Sequence, residues 1–285
     1  MRHAFVAALV ACAAIAACSS NSSDITVQPP EHLYVGDDAF IAYLRVYTLP
    51  LSASSVPVVT LPMNKPFLIG VSSNTLAVTG LTGNVQTFAL PLTSFSTPFA
   101  AISSESNGTP VFSRGLLYQG GSSSINVFTP PFSNSSVPST SIPTLGLTPS
   151  YLAVDPGGNI YLTTGANTIG SVTGSSLTTI LTAAPDIAFR GMAATATRLF
   201  ACGFIGSAND VLIYALPLTA TAAPLVTIDL GDAGPEACVL DAFGNLYVGS
   251  PDGRILVFAP PFTNASTPAL TLSTPAVVFG MAIGP

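Results

Sequence analysis

One phrase, written five times, decides what this chain can fold into. It reads VYTLPLSASSVP (46–57), TFALPLTSFSTP (87–98), VFTPPFSNSSVP (127–138), IYALPLTATAAP (213–224) and VFAPPFTNASTP (257–268). Its aromatic is Tyr47, Phe88, Phe128, Tyr214 or Phe258, at spacings of 41, 40, 86 and 44 residues. The double gap predicts a degraded copy near 171, where NTIGSVTGSSLTTI stands. In each clear copy proline follows the aromatic by three and by ten residues. A fixed period in the forties is the mark of a chain built from stacked units.

The rest of the unit is equally regular. PSYLAVDPGGNIYLTTG (149–165) parallels the first part of PEACVLDAFGNLYVGSPDGRILVF (235–258). Each holds a short apolar run, an Asp/Gly/Asn turn and a second run with an aromatic. The later segment continues into a polar turn and a third run ending in the anchor aromatic. A fourth run follows the later proline, as in Pro268-Ala269-Leu270-Thr271-Leu272. Runs of 4–6 β-branched or aromatic residues between turn formers predict strands. No segment after residue 31 keeps a helical period. Four short antiparallel strands per unit predict a propeller blade.

The two ends fix the blade count. Leu33-Tyr34-Val35-Gly36 matches Leu246-Tyr247-Val248-Gly249, a second strand, and Phe279-Gly280-Met281-Ala282-Ile283 matches a first strand. The expectation is an all-β, six-bladed β-propeller over 32–285, closed by the C-terminal strand pairing into the N-terminal blade. First strands are expected near 69, 112, 153, 192, 238 and 281. Such closure leaves no open ring edge to recruit other chains.

The phrasing from 33 to 283 resembles the NHL-repeat propellers, through Asp155-Pro156-Gly157-Gly158-Asn159-Ile160-Tyr161 and Asp241-Ala242-Phe243-Gly244-Asn245-Leu246-Tyr247. The match is good in the fourth and sixth units and weak in the second and third. That resemblance implies a fold, and one fold hosts unrelated functions.

Composition narrows the partners. Charged residues make up 7% of the 285, the net charge is −6, and Lys65 is the only lysine. Nucleic acid is held by many cationic contacts, so no nucleic-acid partner is expected. A mean hydropathy of +0.60 invites a membrane reading. Yet a spanning helix needs about 20 apolar residues, and the longest such run, Ala4 to Cys18, is shorter. A transmembrane barrel needs strands of about 9–11 residues, twice the length of these.

That first run has the form of a secretory signal: Arg2 and His3, then an apolar core ending in Ile15-Ala16-Ala17-Cys18. The ending resembles the bacterial lipobox, which implies cleavage between Ala17 and Cys18 and acylation of Cys18. An ordinary signal peptide with a chance cysteine is the alternative. Residues 1–18 are thus read as a lipoprotein signal and 19–31 (SSNSSDITVQPPE) as a flexible tether. Ser19 stands where the lipoprotein inner-membrane retention signal has Asp, which leaves outer-membrane or surface placement open. The expected partner on that side is the membrane itself, through the anchor.

Little in the chain reads as catalysis. His32 is the only histidine after the signal, and no G-x-S-x-G, H-E-x-x-H, C-x-x-C or P-loop pattern occurs. The propeller lyases that open cyclic depsipeptides resemble this fold, but their activity depends on histidine, and no matching position has one. Cys202 and Cys238 fall in neighbouring blades, where export permits a disulfide and burial as small apolar side chains is the simpler expectation. Asp155 and Asp241 fall in lower-face turns, where Asp bonds its own backbone. Asp37, Asp38, Asp210 and Asp252 fall in loops of the upper face. Asp186, Arg190 and Glu236 fall before or at first strands, near the upper channel mouth. These seven form a candidate binding rim, with solvated loop charge as the plain alternative. Gluconolactonase-type propellers hold a divalent cation on a comparable rim, so a cation such as calcium is the one cofactor worth weighing.

The leading expectation is a non-enzymatic exported binding or scaffold module that takes a protein or glycan. The alternative is a metal-dependent hydrolase or lyase of the gluconolactonase type on the upper rim. A shell component is the third.

Overall fold

The computed structural model describes residues 31–37, 42–80, 83–103, 108–164, 166–183, 186–205 and 208–285. Within them lie six sheets of four antiparallel strands and no helix. Blade 2 holds β4 (Leu68–Val71), β5 (Thr75–Thr79), β6 (Val85–Ala89) and β7 (Ala100–Ile102). Blade 3 holds β8 (Pro110–Ser113), β9 (Leu116–Gly120), β10 (Ser124–Phe128) and β11 (Thr140–Pro143). Blade 4 holds β12 (Tyr151–Val154), β13 (Ile160–Thr163), β14 (Thr168–Thr173) and β15 (Ser176–Thr182). Blade 5 holds β16 (Ile187–Ala194), β17 (Arg198–Ile205), β18 (Ala208–Ala215) and β19 (Val226–Asp229). Blade 6 holds β20 (Ala237–Leu240), β21 (Leu246–Gly249), β22 (Arg254–Phe258) and β23 (Leu270–Ser273).

Blade 1 is the shared one. Its order is β24 (Val278–Gly284), β1 (His32–Asp37), β2 (Tyr43–Thr48) and β3 (Val59–Pro62). Gly36 faces Gly280 and Leu33 faces Ile283, as the matching ends require. The Tyr34 hydroxyl donates to the Pro285 carbonyl at 2.5 Å. All six first strands fall where the repeat puts them.

Burial peaks in the second strands and falls off toward the outer ones, as in blade 6. Second strands lie between neighbouring blades and are buried on both sides: every residue of β5, β13 and β21 is buried. Most outer strands keep one inward anchor, such as Leu61, Ile142, Ile228 and Leu272. Each such anchor contributes about 1.5–3 kcal/mol.

The repeated phrase turns the chain from the third strand to the fourth. Its polar start caps itself: Ser52, Thr93, Ser133 and Thr263 give their backbone N–H to the hydroxyls of Ser55, Ser96, Ser136 and Ser266 at 2.8–2.9 Å. Its second proline is followed by the rung that opens the outer strand, seen in Val58 to Val46, Phe99 to Thr87, Ser139 to Val127, Leu225 to Ile213 and Ala269 to Val257. Two copies also cap the previous blade. Asn134 accepts the Ala101 N–H at 2.8 Å and Asn264 accepts the Thr227 N–H at 3.0 Å. These bonds blunt donors on outer edges that would otherwise be free to pair. Blade 4 lacks the phrase and turns at Gly174 with φ 63° instead.

Blade 5 differs from expectation in length. β16, β17 and β18 each run eight residues, against the 4–6 of the repeat. The apolar pattern continues through Phe204 and the hairpin pairs out to Ile205 with Ala208. The extension carries a bulge in β16 and brings Arg190 to the channel mouth.

Candidate functional site

The six first strands surround a channel with a cavity of about 250 Å³. Its wall is aliphatic, with Ile69, Val111, Leu152, Met192, Val239 and Met281 among its members. The only ionisable side chains in that lining, besides Cys238, are Tyr151, Arg190 and Glu236, from three consecutive blades.

Arg190 is placed by an irregularity. Phe189 pairs with Gly203 and Gly191 with Cys202, so Arg190 is the extra residue of a β-bulge. A bulge leaves one residue unpaired and re-aims its side chain. The Arg190 guanidinium stands over the Phe204 ring, 5.5 Å from its centroid. Its Nε is buried and has no hydrogen-bond partner in the protein. Glu236 is fixed through its backbone, whose N–H bonds the Gly249 carbonyl at 2.8 Å. Burial pushes the Glu236 carboxyl above the usual carboxylate range, and the Arg190 charge opposes that rise. Burial likewise raises the Tyr151 hydroxyl, while Arg190 pulls it back. The three groups therefore form one electrostatic unit in an apolar wall.

The other rim candidates disperse. Asp37 is 1% exposed. It accepts the Tyr43 N–H and the Arg45 Nε–H, both at 2.7 Å, and so ties the end of β1 to β2. Asp252 pairs with Arg254, which also reaches Asp232 at 3.0 Å. Asp210 faces Asp229 across β18 and β19, far along the blade from the first strand. Burial and then the Asp229 charge raise its carboxyl. Asp186 is exposed ahead of β16. Asp38 and Cys18 lie outside the described residues. Among the described residues, no three of His, Cys, Asp and Glu stand together as a metal site. The described rim carboxylates therefore lie apart from one another, and Asp37 and Asp252 are each taken up by an arginine.

Of the seven rim residues named from the sequence, the structure brings Arg190 and Glu236 into one cavity lining; Tyr151, which joins them there, and Arg45, Arg254 and Asp232, which pair at the rim, were not named. Tyr151 carried a signal: it lies where units five and six have Gly191 and Ala237, at the inner rung of the first strand.

His32 opens β1, half-buried, with a buried and unpartnered Nδ1. Cys202 and Cys238 are both buried free thiols in one apolar cluster. Among the described residues no helix is long and apolar enough to cross a membrane.

Similarity to known proteins is broad and shallow. The strictosidine synthase-like, N-terminal family model matches residues 222–258. No curated protein sequence matches the chain. The periplasmic gluconolactonase PpgL of Pseudomonas aeruginosa aligns with a TM-score of 0.65 at 12% identity, over 90% of this chain and 99% of that one. A chain of the nidogen/laminin complex aligns at 0.62 and 15%, over 90% and 98%. The WD40 β-propeller domain of Doa1 aligns at 0.62 and 12%, over 90% and 83%. At such identities the likeness is one of fold: this chain is a six-bladed β-propeller.

Proposed function

We propose that this chain is an exported, non-enzymatic binding module, an NHL-like propeller held in the cell envelope by a lipid at Cys18. The observation that carries the reading is the channel mouth. A concave, mostly apolar site with a few convergent polar groups is what a ligand-binding pocket looks like. Here the polar groups are Tyr151, Arg190 and Glu236. Outside the mouth the rim carboxylates Asp37 and Asp252 are engaged by their own arginines. Among the described residues the one thiol of the lining, Cys238, is buried in an apolar cluster, which favours binding over covalent catalysis.

The test is a melting-temperature screen of small molecules extracted from the envelope. A ligand that binds only the folded state raises the melting temperature. It should do so for the wild-type chain and not for the Arg190→Gln/Glu236→Gln variant. An equal rise in both sinks the reading.

A second reading is a metal-dependent hydrolase or lyase of the gluconolactonase type. The fold likeness to PpgL and the strictosidine synthase-like match support it. Its test is calcium-dependent opening of a sugar lactone. Hydrolysis that survives chelation, or none at all, removes it.

A further inference from the structure

The binding site at the channel mouth has a definite charge pattern. It holds one cation and one anion on adjacent blades, Arg190 and Glu236, both in the lining of the same cavity, with the Arg190 charge acting on Glu236. Because the two are opposite in sign, a ligand with a single charge is drawn to one of them and repelled by the other. A ligand with both charges, separated by a short spacer, answers both. Arg190 adds the buried Nε donor that the protein leaves unused, and a buried donor without an acceptor is unfavourable. Its planar fork suits a carboxylate. Tyr151 stands beside it with a hydroxyl donor. The rest of the channel lining, a shaft of mostly aliphatic residues, includes Leu152, Met192 and Met281. The cavity of about 250 Å³ has room for one leucine- or phenylalanine-sized side chain.

We infer that the channel mouth binds an apolar α-amino acid, its carboxylate on Arg190 and Tyr151, its ammonium on Glu236 and its side chain in the shaft. This rests on the binding reading above and names its ligand class.

The test uses the full chain purified in detergent, with calorimetric titration of leucine and phenylalanine in both chiral forms. Four analogues of phenylalanine dissect the pattern: the N-acetyl derivative lacks the ammonium, the amide lacks the carboxylate, and phenylpropionate and phenethylamine each keep one charge. The parent amino acid is expected to bind at least tenfold more tightly than any of the four. Arg190→Gln should abolish binding of the parent. Glu236→Gln should weaken the parent and leave the N-acetyl derivative unchanged. Arg190→Lys replaces Arg190→Gln if the latter melts abnormally, and it should bind more weakly than wild type because the fork is lost. Analogues that bind as well as the parent, or no binding by any amino acid, overturn the inference. If another small molecule then raises the melting temperature in a manner dependent on Arg190, the channel-mouth site stands and only the ligand class falls. If every ligand found binds the Arg190 and Glu236 variants unchanged, both fall together.

Discussion

The Tyr247 hydroxyl donates to Asp241 Oδ2 at 3.1 Å, six residues back along the chain. The same carboxylate receives the Asn245 side chain at 2.7 Å and the Asn245 N–H at 2.8 Å. Asp155, Asn159 and Tyr161 repeat the arrangement in blade 4, at 3.2, 2.8 and 2.9 Å. The spacing Asp, Asn four later and Tyr six later is therefore a three-donor clamp on the turn between first and second strands. The tyrosine anchors it to the core, because Tyr161 and Tyr247 are almost fully buried.

The clamp makes a pH prediction. Burial pushes the Asp155 carboxyl up, but hydrogen bonds from Asn159, Tyr161 and Gly157 outweigh it, and the group titrates below its ordinary 3.8. A lowered folded value contributes stability above the ordinary value and loses it as pH falls through the folded one. Asp155→Ala should cost on the order of 1.5–3 kcal/mol near neutral pH, as the loss of hydrogen bonds to a charged acceptor does. The gap between wild type and variant should shrink below pH 3.8. Chemical denaturation at several pH values measures it, and a constant gap would count against the clamp.

Blade-to-blade spacing rests on glycines whose backbones touch the next blade. A Cβ on Gly280 would lie 2.0 Å from the Phe67 carbonyl oxygen, and one on Gly36 1.8 Å from that of Pro66. The obstacle is backbone in both cases, so no side chain can swing aside. Gly280→Ala should destabilise by at least the ~1–3 kcal/mol typical of overpacking. Gly174→Ala, in open space but at φ 63°, should cost less. Equal melting of Gly280→Ala and wild type would mean that the blades are looser than this.

Cys202 and Cys238 meet across blades 5 and 6. A Cβ on Gly191 would lie 3.0 Å from Cys202 Sγ and 2.9 Å from the Cys238 nitrogen, so the missing side chain is what lets the two approach. Burial and then the neighbouring Cys238 thiol raise the Cys202 thiol well above its usual value. A thiol with so little thiolate is inert. Both should resist an aromatic disulfide reagent in the folded protein and react in denaturant. Rapid reaction in the native state would show that the interface opens.

The anchor is checked separately. Labelled palmitate should enter the wild-type chain and not Cys18→Ala, and equal labelling of both would remove the lipid from the proposal.

The ring was legible because its information is local and repeated. The aromatic and two prolines of the phrase recur at fixed offsets, and matching half-units at the ends disclose the closure. Asp155 and Asp241 were legible for the same reason, since an Asp turn is written in adjacent residues. The rim was not. Whether Asp37 faces a ligand or Arg45 depends on a hairpin register: Asp37 ends β1 and Arg45 lies within β2 opposite Val35, and nothing in their order decides it. Arg190 reaches the mouth through a bulge that follows from an extra residue in β16, and no single-residue pattern marks a bulge. Tyr151 became visible only once blades 4, 5 and 6 could be laid beside one another.

Closure by β24 is the strongest constraint on the whole ring. Deleting 278–285 removes Val278, Met281 and Ala282 from the core, all at most 6% exposed. Fully burying Val or Met is worth about 1.5–3 kcal/mol each. The deletion also bares β1, whose Leu33 and Val35 are fully buried beneath it. It removes the contact of Gly280 with the Phe67 backbone and the edge-on pairing of Phe279 with Phe67 at 5.2 Å, so blades 1 and 2 lose their shared seam. The lost terms rival the roughly 5–15 kcal/mol that holds a domain folded. The unpaired edge of β1 would then be free to recruit other chains. The truncated chain should be insoluble, or soluble without a cooperative melt. Adding a synthetic peptide of residues 278–285 in excess should restore part of the melt, since it supplies the missing strand. A truncated chain that melts cooperatively near the wild-type temperature would mean that the ring does not need its last strand.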